Sequence, residues 1–298
     1  MKRRSLLFAV LSATTLGLAP ALTLALDVVA TSPSMGALVR TVAPSANLTV
    51  LSGPDRDLHA LQVKPSMIRA LRGADLVVAT GAELEVGWLP AATSSAANPA
   101  ILPGRVGYFE AAAQVPLLDV GGSANRALGD VHPAGNPHVD MDPVRMAQVA
   151  EALAARLAQL DAAGASGYRA NARRFAEAVD SRLPVWQQRL AGAPGVVLYH
   201  RDAIYLLDRF GVPLLGTIEP VPGVPPSGRD LRKLTSELSG RRGVIIYPPY
   251  QSPKAPNKLG RDLGWPVREL ALSPQSNSDG NGYLSHIGAW VDAIAAAN

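Results

Sequence analysis

The stretch that decides the fold is Leu26-Asp27-Val28-Val29-Ala30-Thr31, followed by a helical pattern over 34–42 and by Asn47-Leu48-Thr49-Val50-Leu51. The first and last segments are short, apolar and rich in β-branched residues, as buried strands are. Between them, apolar residues recur three or four positions apart, at Met35, Leu38, Val39 and Val42. A strand, a helix and a second strand in this order predict parallel strands joined by a crossover helix.

The same alternation occurs on both sides of a long helical pattern. The first half continues with a helix over 66–72 and a strand over 75–79, then short strands around 107–109 and 115–118. The second half begins with a strand over 195–199 and ends with a helix over 283–297. We therefore predict an α/β fold of two lobes, each a mostly parallel sheet flanked by helices, joined by one long connecting helix. The predicted divisions are a signal peptide over 1–25, an N-terminal lobe over 26–165, the connecting helix over 166–191 and a C-terminal lobe over 192–298.

The first 25 residues have the composition of a secretory signal peptide. Lys2, Arg3 and Arg4 precede an apolar run from Leu6 to Leu18, and small residues follow as far as Ala25. This pattern predicts export to the periplasm with removal of the signal near Ala25. The Arg3-Arg4 pair leaves open whether export follows the general or the twin-arginine route.

Charge and cysteine content exclude several classes of protein. The chain has a formal net charge of +4, but the predicted signal carries three of the 28 basic residues and none of the 24 acidic ones. The remainder is therefore almost neutral, which argues against nucleic acid as a partner. The chain has no cysteine, so any metal site must use nitrogen and oxygen ligands.

One histidine lies directly before a predicted helix start, in Asn136-Pro137-His138-Val139-Asp140-Met141-Asp142-Pro143. Asp142 is a suitable N-cap, and Pro143 fits the first helical position because an N–H there would have no partner anyway. The His138 imidazole is therefore held beside a rigid element while lying outside it. Metal-binding and catalytic side chains need this kind of support.

The five histidines are His59, His132, His138, His200 and His286. Each one alone is more simply explained as a surface or packed residue. His59, however, follows the second strand, and His200 ends the first strand of the second half. Ligands of open α/β sheets bind beyond the carboxyl ends of the strands, so these two and His138 would meet between the lobes. Imidazole suits zinc, whereas manganese favours carboxylates.

Several segments resemble the metal-binding solute receptors of ABC importers for zinc and manganese. They are Leu58-His59-Ala60-Leu61-Gln62-Val63-Lys64-Pro65-Ser66, the stretch Asn136–Pro143, Tyr199-His200-Arg201-Asp202 and Gly216-Thr217-Ile218-Glu219-Pro220. Asn136 and Asp140 depart from the "D-P-H-x-W-x-D-P" pattern of that family. The resemblance implies two α/β lobes joined by a long helix, with His59, His138 and His200 as metal ligands. A histidine at the third position goes with zinc in this family, and a carboxylate goes with manganese.

The resemblance leaves the fourth ligand open. The family usually has an aspartate in an "L-D-P" segment, where this chain has Leu272-Ser273-Pro274. Because a serine hydroxyl is a poor zinc ligand, we predict Asp279, in the same polar loop, as the fourth ligand, with a water molecule as the alternative. His132 is predicted to be a surface residue or a weak auxiliary site, and His286 to be solvated.

These observations predict an exported binding protein, not an enzyme, that captures Zn²⁺ between two lobes and delivers it to an ABC permease of the inner membrane. Mn²⁺ is the less favoured ion. We expect a monomer, with a periplasmic metallochaperone as a further candidate partner. One alternative is a zinc-dependent hydrolase with three histidine ligands and a water, although the sequence has no His-Glu-x-x-His helix. The others are a periplasmic zinc chaperone and a surface adhesin.

Overall fold

The computed structural model describes residues 25–121, 132–221 and 223–297, so the predicted signal, apart from Ala25, lies outside the described residues. The described chain forms two lobes, each built on a four-stranded parallel sheet. The strands of the first sheet are β1 (Asp27–Ala30), β2 (Asn47–Val50), β3 (Leu76–Ala79) and β4 (Tyr108–Glu110). Those of the second are β5 (Val196–Leu198), β6 (Leu214–Thr217), β7 (Val244–Tyr247) and β8 (Val267–Glu269).

The two sheets have the same topology. Their strand orders are β2-β1-β3-β4 and β6-β5-β7-β8, so in each sheet the first strand lies between the second and the third. Val28, for example, pairs with Leu48 on one side and with Leu76 on the other. All strands of a parallel sheet end at one edge, and each sheet therefore presents a single carboxyl edge on which ligands can be placed.

Helices connect the strands and cover the sheets. In the described residues they are α1 (Pro33–Val42), α2 (Pro65–Gly73), α3 (Leu89–Ala96), α4 (Pro143–Leu160), α5 (Ala165–Leu190), α6 (Ile204–Phe210), α7 (Gly228–Leu238), α8 (Lys254–Leu263) and α9 (Gly280–Ala295). The 26-residue helix α5 joins the lobes, packs along α4 and α9, and contains Pro184. Its buried side chains recur at helical spacing, at Tyr168, Ala172, Phe175, Val179, Trp186 and Leu190. The predicted α/β fold of two lobes with a connecting helix is confirmed.

A single apolar core runs through both lobes. It includes Leu38 of α1, Leu153 of α4, Phe175 of α5, Tyr205 of α6 and Trp290 of α9. The outer face of each sheet has a separate cluster, around Leu71 and Trp88 in the first lobe and around Leu238 and Trp265 in the second. The shared inner core fixes one lobe against the other, because opening the lobes widely would expose apolar surface to water.

The predicted elements differ from the structure in two places. The segment around 115–118 forms no strand, since Pro116 lacks the N–H that a central strand would donate. Helix α3 was not predicted, because its buried side chains are mostly small and give a weak apolar pattern. Among the described residues, no helix is both long and apolar enough to cross a membrane.

Candidate metal centre

The first histidine of the centre, His59, lies in the loop that follows β2. Asp57, two residues earlier, holds it twice, because its Oδ1 accepts from the His59 backbone N–H at 2.9 Å and lies 2.8 Å from Nδ1. Burial acts to raise the pKa of Asp57, but the hydrogen bonds and charge of His59 outweigh it and lower that pKa. A carboxylate on Nδ1 fixes the ring and makes Nε2 the nitrogen that would bind a metal, which is the arrangement that orients many ligating histidines.

The second histidine, His138, is buried, with an exposed fraction of 5%. The Asn136 side chain accepts from its backbone N–H at 3.0 Å, and Asp142 caps α4 by accepting from the Val144 N–H at 2.9 Å. The His138 Nε2 atom has no hydrogen-bond partner in the described structure. Burial lowers the pKa of His138 well below its usual value, and the neighbouring imidazoles act in the same direction. The ring is therefore neutral at pH 7, with a lone pair available for a metal.

The third histidine, His200, lies two residues beyond the end of β5. Its Nδ1 is 3.6 Å from Oε2 of Glu219, which lies two residues beyond the neighbouring strand β6. Glu219 is only 6% exposed, and the backbone N–H of Gly223 donates to its Oε2 at 3.0 Å. The Glu219 carboxylate is therefore held beside Nδ1 of His200, at ion-pair distance.

The structure brings His59, His138 and His200 together between the lobes. One ligand atom from each ring lies within 4.8 Å of the others, and the ring centroids are 5.6, 5.8 and 5.9 Å apart. Two nitrogens bound to one tetrahedral zinc ion are about 3.3 Å apart. Side-chain movements of about 1 Å would therefore bring these three imidazoles into one coordination sphere.

A fourth imidazole lies against this cluster. The Nε2 atom of His132 is 3.1 Å from the Nε2 atom of His59, and the two rings are 5.2 Å apart. Sequence reasoning placed His132 at the surface or in a weak auxiliary site. Its position could not be read from the pattern, because it depends on contacts between residues that are far apart in the sequence.

The structure does not bring Asp279 into the cluster. Asp279 is the N-cap of α9, and its Oδ1 accepts from the Gly282 backbone N–H at 3.0 Å. It lines a separate surface pocket with Arg40 and Asn171. An aspartate one residue before a helix has a strong local use as a cap, and this use replaces the ligand role expected from the loop position.

Ser273, which occupies the family's aspartate position, does lie beside the centre. It lines a small cavity with His59 and His138, but its hydroxyl accepts a hydrogen bond from Ser34 at 3.2 Å. Asp140 lines the same cavity, and burial raises the pKa of its carboxyl group to about 6. Both side chains line the cavity, and neither belongs to the group of residues that could hold a metal ion.

Sequence reasoning missed two carboxylates near the imidazoles, Asp57 and Asp202. Asp202 is 2% exposed and its Oδ2 has no hydrogen-bond partner among the described residues. Burial raises the pKa of Asp202 to about 6, partly offset by the charges of His200 and His59. Their spacing in the sequence could have identified them, since Asp57 and Asp202 each lie two residues from a candidate histidine.

His286 is not solvated as predicted. It is half-buried on α9, and its Nε2 lies 3.1 Å from the Leu272 carbonyl oxygen. Burial lowers the pKa of His286 to about 4. Its neutral ring therefore donates to a backbone carbonyl, and it serves the packing of α9 rather than the metal centre.

Two α/β lobes with a cluster of imidazoles between them define a metal-binding solute receptor. The family described as "Zinc-uptake complex component A periplasmic" (ZnuA) matches residues 28–297, and the chain belongs to this family. Members of the family are periplasmic substrate-binding proteins and not enzymes, which removes the basis for the hydrolase alternative.

Individual relatives agree with this assignment. The chain is 26% identical to the high-affinity zinc uptake system protein ZnuA of Yersinia pestis over 231 residues, which cover 72% of each chain. A crystal structure of ZnuA matches with a TM-score of 0.75 and 19% identity over 92% of this chain and 99% of that one. The solute-binding protein FpvC of Pseudomonas aeruginosa, in complex with Mn²⁺, matches with a TM-score of 0.76 and 23% identity over 91% and 97%. At these identities the two structures establish the fold alone.

Proposed function

We propose that this protein captures zinc in the periplasm, with His59, His138 and His200 as ligands, and delivers it to an ABC permease of the inner membrane. The observation that carries the proposal is the convergence of three imidazoles from three separate segments. His59 and His138 come from the first lobe, and His200 comes from the second. A metal held in this way contacts both lobes at once.

The electrostatics of the centre suit a divalent cation. The imidazoles are neutral when they bind metal, and the carboxylates of Asp57 and Glu219 lie 2.8 Å and 3.6 Å from Nδ1 of His59 and His200. A carboxylate beside Nδ1 helps to orient the ring and makes Nε2 a stronger metal ligand. Binding therefore needs no buried uncompensated charge, because the positive ion is added close to these two acids.

The donor set favours zinc over manganese as the cargo. Nitrogen ligands from imidazole suit zinc, whereas manganese prefers oxygen ligands, and no carboxylate belongs to the metal-binding group of the described residues. Mn²⁺ remains the second candidate because FpvC, a structural neighbour, was crystallised with that ion. Competition between Zn²⁺ and Mn²⁺ on the purified protein decides between them, and preferential binding of Mn²⁺ would overturn the zinc assignment.

A zinc titration tests the ligand set. We expect His200→Ala and His138→Gln to weaken zinc binding by more than about 100-fold, since loss of a group outside the ligand shell already costs 10- to 100-fold. His286→Gln is the matched control, because it removes a histidine outside the cluster. Circular dichroism must show that each variant is folded. Wild-type affinity in both folded ligand variants would refute the site.

Delivery to a permease requires a separate experiment. We expect the mature chain, cut near Ala25, to restore zinc-limited growth of a strain that lacks its own receptor but keeps its permease. The His200→Ala variant should fail to do so at equal periplasmic abundance. Rescue by that variant would contradict transport through this centre. Analytical ultracentrifugation of the same preparation tests the expected monomer, and a periplasmic pull-down tests for a metallochaperone.

A further inference from the structure

We propose that His132 is the fourth ligand of this centre, so that the bound metal is held by four imidazole nitrogens. The inference rests on the proposed zinc site and adds one ligand to it. The sequence offered Asp279 or a water molecule for this position. The structure instead places the His132 imidazole against that of His59.

The distance between His132 and His59 is that of two ligands of one ion. Their Nε2 atoms are 3.1 Å apart, close to the roughly 3.3 Å expected between two nitrogens on a tetrahedral zinc ion. Asp57 occupies Nδ1 of His59, so the His132 ring approaches the nitrogen that a metal would use. The His59 ring lies 5.2 Å from that of His132 and 5.6 Å from that of His138, so it contacts both.

The backbone around His132 is held firmly enough to position a ligand. The Gly135 N–H donates to the His132 carbonyl at 3.0 Å and closes a turn, and the Gly121 N–H donates to the Pro133 carbonyl at 3.3 Å. Gly135 has φ of +122°, and a Cβ there would lie 2.7 Å from Cβ of Leu117. Only glycine fits this turn.

The oxygen groups considered for the fourth position have other roles. The Ser273 hydroxyl is paired with Ser34, and the Asp279 carboxylate caps α9. The group whose donor atoms all lie within 4.8 Å of one another contains neither Asp202 nor His132, and what distinguishes His132 is the 3.1 Å between its Nε2 atom and that of His59. His132 is the side chain whose donor atom already lies at ligand distance from another ligand.

A fourth imidazole has a consequence for selectivity. Four neutral nitrogen ligands in a tetrahedral arrangement suit zinc and leave no oxygen donor for manganese. Replacing His132 by a group that cannot bind would admit water in its place. The His132→Ala variant should therefore lose zinc affinity and lose part of its preference for zinc over manganese.

X-ray absorption at the zinc edge, supported by Co²⁺ optical spectra, tests the assignment on the full mature chain. Wild-type protein and the control His286→Gln should show four imidazoles on zinc and the intense visible bands of tetrahedral Co²⁺. His132→Ala should show three imidazoles and an added oxygen, with zinc affinity reduced at least about tenfold. His132→Asp should show the same three imidazoles and one oxygen but bind zinc more tightly than His132→Ala, because its own carboxylate supplies the oxygen, and this recovery separates ligation from a merely structural role.

The outcomes distinguish the two proposals. Three imidazoles in the wild-type protein, or His132→Ala with wild-type spectra and affinity, would overturn the role of His132 and leave the three-histidine site intact. Failure of the wild-type chain to bind zinc at all would overturn the proposed function itself.

Discussion

The two lobes have the same strand topology, but the residues that follow equivalent strands have different roles. In the second lobe, His200 lies two residues beyond the first strand and Glu219 two residues beyond the second. The equivalent residues of the first lobe are Ser32 and Ser52. Ser32 caps α1 by accepting from the Met35 N–H, and the Ser52 hydroxyl donates to the Thr31 carbonyl.

The first lobe therefore uses its strand ends for internal hydrogen bonding. Its carboxylate at this edge, Glu85, is buried and accepts from the Thr31 hydroxyl at 2.6 Å and from the backbone N–H groups of Thr80 and Gly81. Because these groups are already paired, the ligands of the first lobe must come from longer loops. The topology sets the edge where ligands gather, and the residues at each strand end decide whether that strand supplies one.

The largest expected effect tests whether the lobes are one folding unit. Asp142, at the start of α4, binds Arg145 at 2.6 Å and Arg209 of the second lobe at 2.7 Å, and its side chain is fully buried. We expect Asp142→Ala to lower the free energy of unfolding by about 3 kcal/mol, since it breaks a buried pair and removes a helix cap. Denaturant unfolding measures the change.

The shared apolar core predicts that this variant still unfolds in a single transition, with the midpoint lowered for probes in either lobe. The replacement of Asp208, a neighbouring acidic residue of α6, by alanine is the control. Two separate transitions in Asp142→Ala would show that the lobes are joined mainly by this ion pair rather than by the core.

The second prediction compares Glu219, which lies beside a metal-binding imidazole, with Glu85, which is paired within its own lobe. We expect Glu219→Gln to raise the zinc dissociation constant 10- to 100-fold, or about 1.4 to 2.7 kcal/mol, because His200 loses an acidic partner. Isothermal titration measures this change. Glu269→Gln is a matched control in the same lobe, where the carboxylate accepts from Tyr247. Equal zinc affinity in the two variants would contradict a supporting role for Glu219.

Replacing Glu85 should lower the stability of the fold and leave zinc affinity unchanged. Glu85→Ala leaves the donors of Thr31, Thr80 and Gly81 unpaired in a buried place, so we expect a loss of about 2 kcal/mol in unfolding free energy. Zinc affinity of the folded variant should stay within about twofold of wild type, because Glu85 contacts none of the imidazoles in the described structure. A large loss of zinc affinity with unchanged stability would reverse the assigned roles of the two lobes.

The sequence predicts the architecture well because strand and helix periods are local properties. Val28 and Val29 lie in a strand, and Met35 and Leu38 on a helix, whatever the rest of the chain does. The three convergent histidines followed from topology, since each lies near a strand end or a helix start. The position of His132 did not follow, because it depends on how one turn packs against Leu117.

The capping role of Asp279 illustrates the other limit. An aspartate before a glycine-rich helix start is equally compatible with a metal ligand and with a cap, and only the direction of its side chain separates the two. The carboxylates Asp57 and Asp202 raise the same difficulty. A spacing of two residues allows a carboxylate to face an imidazole but does not require it.

The smallest expected effect concerns α9, which belongs to the second half of the chain but packs on α1 of the first lobe. The pKa of His286 on this helix is lowered to about 4, against about 6.5 in an unfolded chain. Between these values the unfolded chain binds a proton that the folded chain does not, so His286 makes the protein less stable as the pH falls. We expect its share of the loss between pH 7 and pH 6 to be roughly 0.5–1 kcal/mol.

His286→Gln removes this titration, so the unfolding free energy of the variant should fall less steeply with decreasing pH than that of wild type. The comparison is made in chelator, so that metal binding does not contribute. The lowered pKa of His138 adds a slope of the same sign to both proteins, and only the difference between the two curves reports on His286. Parallel curves would mean that this imidazole keeps its ordinary pKa, and that its surroundings beside Leu272 are open to water.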